Sequence, residues 1–171
     1  MATATLKNKN NTEERVSKAK QGIEIGLRVL TSIAGRHKEL SGEIEAAKIE
    51  TIAELGHGGV FKTNRLVWGY IDLFGGKAAQ SQIAKAEATV ESVNGALPQR
   101  KAEALKLIEA AKTDFESRNF RDADFKAGRA NQIIESIQRD SRVNADFAES
   151  LRRAHWGELE KLKAPPRRKK R

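Results

Sequence analysis

Cysteine is missing from all 171 residues. Without a thiol there is no disulfide framework, no thiolate metal site and no cysteine nucleophile. Long hydrophobic runs are missing as well. The longest apolar stretch, LVWGYIDLF at 66–74, is interrupted by Asp72 and falls far short of the ~20 residues a membrane-spanning helix needs. The opening segment MATATLKNKNNTEE has no apolar core of the kind a secretory signal requires, so a cytoplasmic location is expected. Alternating apolar and polar runs bounded by turn residues, the mark of half-buried strands, are also lacking, so no sheet is expected.

The excess of base is concentrated in one place. Residues 161–171, KLKAPPRRKKR, hold seven Lys or Arg and no Asp or Glu. Taking those seven from the 32 basic residues leaves 25 against 23 acids over residues 1–160, so the net charge of +9 is the charge of a tail on a nearly neutral body. A domain that grips a duplex with its folded surface carries a broader basic face than this.

What the chain has in abundance is helical periodicity. Val16, Ala19, Ile23, Gly26, Leu30, Ile33, His37, Leu40, Ile44 and Ala47 are spaced by alternating threes and fours, the 3.5-residue seam of a coiled coil. Asn11 and Glu14 form a capping pair at its start, and Gly35 and Gly42, off the seam, weaken the helix enough for a kink. A second seam runs from Ala79 through Ile83, Ala86, Val90, Val93 and Leu97, then resumes in phase at Ala104, Ile108, Ala111 and Phe115. Pro98 predicts a kink or a one-turn break within it, because proline supplies no backbone donor. The third seam is the longest: Phe120, Ala123, Ala127, Ala130, Ile134, Ile137, Ser141, Asn144, Ala148, Leu151, His155, Leu159 and Leu162, ended by Pro165 and Pro166. The short link SRNF makes the second and third seams an antiparallel hairpin. The pattern Ala111, Phe120, Ala123, Ala127, Ala130 resembles one tetratricopeptide-type helical hairpin over about 25 residues, and that resemblance implies close helix packing without a ligand site.

The most enzyme-like stretch is GHGGVFKT at 56–63, with Gly56, Lys62 and Thr63 in the register of a Walker loop. A Walker loop follows a buried strand and opens a helix so that backbone amides converge on phosphate. Here a helical pattern, IEAAKIETIAEL, precedes it, and Phe61 replaces the second glycine. Gly56 therefore reads as a helix C-cap and Gly58–Gly59 as a turn. His37, His57 and His155 have no second ligand-type residue at i+3 or i+4 in a zinc pattern, and a polar seam residue sets register more often than it does chemistry. The carboxylate pairs, such as Glu13–Glu14 and Glu158–Glu160, fall on solvated faces. No catalytic residue, metal site or cofactor is assigned.

Two segments are the candidate sites. NRLVWGYIDLFGG at 64–76 reads as a short helix capped by Thr63 or Asn64 and ended by Gly75–Gly76. Its apolar residues nearly encircle it, so it either plugs the end of the bundle or offers Leu66, Trp68, Tyr70 and Phe74 to a partner. Arg167, Arg168, Lys169, Lys170 and Arg171 are the candidate anion or nucleic-acid contacts. The same five cations fit an acidic protein, an anionic membrane or a nuclear import signal.

The sequence therefore predicts an all-α protein: an elongated antiparallel bundle of three long coiled-coil-like helices plus one short apolar helix. Residues 1–10 are expected as a flexible arm, 11–164 as the bundle and 165–171 as the basic tail. Alanine and glycine at many seam positions make a thin core, so further burial by self-association or docking in a larger assembly is expected. The function expected is a non-enzymatic scaffold or oligomer subunit attached to nucleic acid or another acidic surface by its tail. The alternative is a peripheral membrane or hydrophobic-surface coat using 64–74. Three helix directions, up, down and up, place the aromatic segment and the tail at the same end of the rod.

Overall fold

The computed structural model describes the backbone of residues 2–57, 59–93 and 97–163, and the side chains of 12–57, 59–93 and 97–156. Five α-helices follow one another: α1 (Ala2–Arg36), α2 (Ser41–His57), α3 (Gly59–Val90), α4 (Pro98–Glu116) and α5 (Phe120–Lys163), with a 3-10 turn at Lys38–Leu40 between the first two. No strand occurs among the described residues. The all-α class is the one the seams predict.

The helices are arranged around α3. Its first half packs on α1 and α2, its second half on α4 and α5, and among the described residues no other extended helix packing joins the two halves. Each half has its own core. Ile23, Leu30, Ile33, Ile44, Val67 and Phe74 fill the first; Val90, Val93, Ile108, Ile134 and Ile137 fill the second, with Ile83 and Ala111 packed below them. These positions are buried because one face of each helix repeats its apolar residues every three or four positions.

Side-chain pairs fix the directions. α1 runs parallel to α3: Arg15 stacks on Phe61 at the start of α3, and Gly26 meets Val67 further along both. α2 runs antiparallel, pairing Glu54 with Lys62 at 2.7 Å and Glu43 with Lys77 at 2.5 Å. α4 returns against α3 with Lys112 on Glu87 at 2.6 Å. α5 then climbs beside both, as Lys85–Glu135 and Arg100–Asp140 record at 3.0 and 2.9 Å.

Local chemistry explains most helix ends. α2 closes with His57 Nδ1 donating to the Ala53 carbonyl at 2.8 Å, and α3 opens at Gly59 with φ of 78°. Proline stands at the first position of α4, where its missing N–H costs no helical bond. α4 ends in a Schellman turn: Asn119 N–H donates to Asp114 O at 2.8 Å and Arg118 N–H to Phe115 O at 3.0 Å. Arg118 takes the left-handed φ of 59° that glycine usually supplies there.

Several expectations need correction. Gly35 and Gly42 flank a full reversal at 37–40, not a kink, and the chain also reverses between Val90 and Pro98. The segment 64–74 is no separate short helix, because α3 continues through Gly75 and Gly76 to Val90. Those glycines serve close approach: a Cβ on Gly75 would stand 3.4 Å from Phe120 Cβ, and one on Gly76 3.6 Å from the Phe120 ring. Finally, the aromatic segment and the end of α5 lie apart. Trp68 lines a groove with Phe120 and Asp124 at the start of α5, and Lys163 is 39 residues further along the same helix, about 58 Å at 1.5 Å per residue. α1 is helical from Ala2, through the residues expected to form an arm.

Candidate functional site: the mid-rod junction and the outer half of the last helix

At the middle of α3 the end of α1 meets the start of α5. Asp124, in the second turn of α5, is 5% exposed and accepts a hydrogen bond at 3.0 Å from Nε2 of His37, which is 2% exposed. Arg36, the last residue of α1, donates from Nη1 to the other carboxylate oxygen. His37 Nδ1 lies 3.5 Å from Glu39 Oε1, an ion-pair distance but a long one for a hydrogen bond. The carboxylate is thus held between a buried ring and a half-exposed guanidinium. His37, expected as a register-setting seam residue, does bind two elements together. Its partner Asp124 was not singled out in the sequence, since it stands one position beside the α5 seam.

Beside this cluster runs an open groove of about 590 Å³ between α1, α3 and the first turns of α5. Ile25, Val29, Ile71 and Phe120 give it an apolar floor, with Trp68 at its edge. Of its three arginines, Arg36 is neutralised by Asp124, and Arg118 stands 3.4 Å from Asp72. Arg121 makes no ion pair among the described residues, so the groove carries a small positive surplus.

The four aromatic-segment residues divide among three environments. Phe74 is 3% exposed and belongs to the first core, so it is not available to a partner. Leu66 is half-buried. Tyr70 is half-buried too, stacks on Phe74 and donates its hydroxyl to Glu50 at 2.5 Å. That hydrogen bond, with desolvation and the negative charge of Glu50 adding to it, pushes the phenol up to about 12. Trp68 is 44% exposed and faces the groove. The segment is therefore mostly plug, with one outward aromatic.

The described residues of GHGGVFKT are taken up by helix contacts. A helix precedes it, Lys62 is paired with Glu54, and the buried Thr63 hydroxyl donates to the Gly59 carbonyl at 3.1 Å. Among the described residues no three metal-ligating side chains cluster, and no helix is long and apolar enough to cross a membrane.

The second candidate surface is the outer half of α5. Arg100 of α4 reaches Asp140, and Ser92, just past α3, accepts from Gln138 at 3.2 Å. Beyond that level no described residue covers the helix. From Arg142 to Trp156 every residue except Glu149 is exposed, including Val143, Phe147, Leu151 and Trp156. The seam residues Asn144, Ala148, Leu151 and His155 lie here, outside the core the sequence placed them in. Val143 and Phe147 were overlooked; their spacing of four from each other and from Leu151 was the available signal.

No family model, curated protein or solved structure matches the chain. Arg167, Arg168, Lys169, Lys170 and Arg171, the candidate anion contacts, lie outside the described residues.

Proposed function

We propose that the chain is a non-enzymatic assembly protein, a scaffold or oligomer subunit held to nucleic acid or another acidic surface by its basic tail. The observation that carries this reading is the outer half of α5. A helix leaves the folded body with Val143, Phe147 and Leu151 uncovered and is followed in sequence by five successive cations. Exposed apolar side chains of this size on a rigid helix are suited to burial against a protein, and clustered Lys and Arg to release of counterions from a polyanion. The alternative reading, a coat on a membrane or hydrophobic surface through 64–74, rests on Trp68 and Leu73 alone, because Phe74 is in the core.

The test is a titration of the full chain and of a chain ending at Pro166 against duplex DNA over a range of salt. The full chain should bind with a log–log salt slope of roughly −0.9 for each phosphate neutralised, and the truncated chain should lose most of that slope with its helix content intact. Equal binding by both chains at low salt would remove the tail from the mechanism.

A further inference from the structure

The apolar seam of α5 outlasts its cover. Inside the body it packs on α3 and α4 as far as Ile137; beyond Ser141 its Leu151 is exposed, flanked by a second exposed apolar row, Val143 and Phe147, one position N-terminal to the seam, and in sequence it goes on as Leu159 and Leu162. The stretch 141–163, exposed from Arg142 to Trp156 except at Glu149, is just over three heptads, about the shortest length that sustains a coiled-coil pairing. It is about 34 Å long at 1.5 Å per residue.

Its charges are not spread evenly. Residues 141–150 carry Asp146 and Glu149 against Arg142. Residues 151–163 carry Arg152, Arg153, Lys161 and Lys163 against Glu158 and Glu160, and lead directly into Arg167–Arg171. The acidic half of this segment finds its complement in the basic half of the same segment turned end for end. We propose that the outer half of α5 pairs antiparallel with the outer half of α5 in a second copy of the chain. The proposal rests on the assembly reading above and names its partner.

Charge also decides the direction. A parallel pair would set both five-cation tails side by side and lay acid on acid. The antiparallel pair sends the tails to opposite ends of a ~34 Å overlap, several times the ~8 Å over which salt at physiological strength screens charge. The two bodies then stand at the two ends of the pairing and do not collide. Glu149, which in the single chain holds Arg152 and Arg153 at 3.1 Å on its own helix, supplies the ready-made anion for the basic half opposite.

Because the chain has no cysteine, introduced ones report the geometry without background. Full overlap of 141–163 puts Leu151 beside its own copy near the midpoint and sets the two Asn144 positions about 24 Å apart along the axis, beyond the ~7 Å a disulfide can bridge. On oxidation, Leu151→Cys should form linked dimers and Asn144→Cys should not. Sedimentation of the full chain should give a dimer, and Phe147→Asp should raise its dissociation constant about a hundredfold or more, since the symmetric interface receives the charge twice. Phe147 is 63% exposed and outside both cores, so circular dichroism of that variant should be unchanged. The chain ending at Pro166 should still dimerise. A full chain that is monomeric across a wide concentration range, a dimer indifferent to Phe147→Asp, or self-linking through Asn144→Cys would each overturn the proposal. Dimerisation without any binding to duplex DNA would sink the tail attachment and leave the pairing standing.

Discussion

Asp124→Ala tests how the two halves of the rod are joined. The substitution removes the acceptor of two donors that differ in exposure. His37 is 2% exposed, so its Nε2–H would be left in the interior without a partner, at a cost of about 1–3 kcal/mol. The Arg36 side chain is 52% exposed; released, it turns into water, and its share of the ion pair, screened by solvent, is at most about 1 kcal/mol. Together the loss is about 2–3 kcal/mol, which for a chain of this length lowers Tm by roughly 5–10 °C. Thermal and urea unfolding followed by circular dichroism measure it directly. Arg36→Ala should cost less than about 1 kcal/mol and should cost less still in high salt. In a double-mutant cycle, His37→Ala and Asp124→Ala should couple by about 1 kcal/mol or more. A loss below about 0.5 kcal/mol for Asp124→Ala, or a larger loss for Arg36→Ala than for Asp124→Ala, would refute the assignment of the joint to the buried pair.

Tyr70 is the only tyrosine, so phenolate absorbance titrates it alone: it should ionise at about 12 and move down towards 10 in Glu50→Gln. Because the folded value lies above the unfolded one, its contribution to stability is whole below about pH 10 and is lost as pH climbs through about 12; a titration at the ordinary value in the native chain would contradict the hydrogen bond. Arg118→Gly relieves a left-handed residue and gives up only an exposed contact with Asp72, so urea unfolding should show stabilisation by about 0.5–1 kcal/mol. Gly26→Ala puts a Cβ 2.8 and 2.9 Å from the two methyls of Val67; it should cost about 1–3 kcal/mol in the same assay, with partial recovery in Gly26→Ala/Val67→Ala.

The depth of the core was legible in the sequence because burial follows helical period. Ile23, Leu30, Ile33, Ile44, Ala86, Ile108 and Ile134 were all placed on seams and are all buried. Direction was legible at SRNF, whose short link made α4 and α5 an antiparallel hairpin, and not at the other two reversals. A reversal that keeps the seam in phase, as at 37–40 and again between Val90 and Pro98, leaves the spacing of apolar residues unchanged. Gly75–Gly76 read as a stop because small residues serve both helix ends and close approach, and only the position of Phe120 tells which. Asp124 and Asn131 were invisible for a different reason. Their partners, His37 for one and the side chain and carbonyl of Gln82 for the other, are distant in sequence and adjacent only once α5 has packed beside α3 and the end of α1. The outer half of α5 was read as more core, since periodicity reports that a face is apolar and says nothing about what lies against it.

The way the halves share α3 bears on how the rod responds to a sideways load. Among the described residues only one helix crosses the middle, and a single helix is a slender beam. On one flank the span is tied by Arg36 and His37 gripping Asp124. Flexing the rod so that this flank opens must stretch that tie, whereas flexing the other way drives the end of α1 against the first turns of α5. Stiffness at mid-length is therefore directional, set by one carboxylate and its two donors. A chain lacking Asp124 should hinge there while each half stays intact.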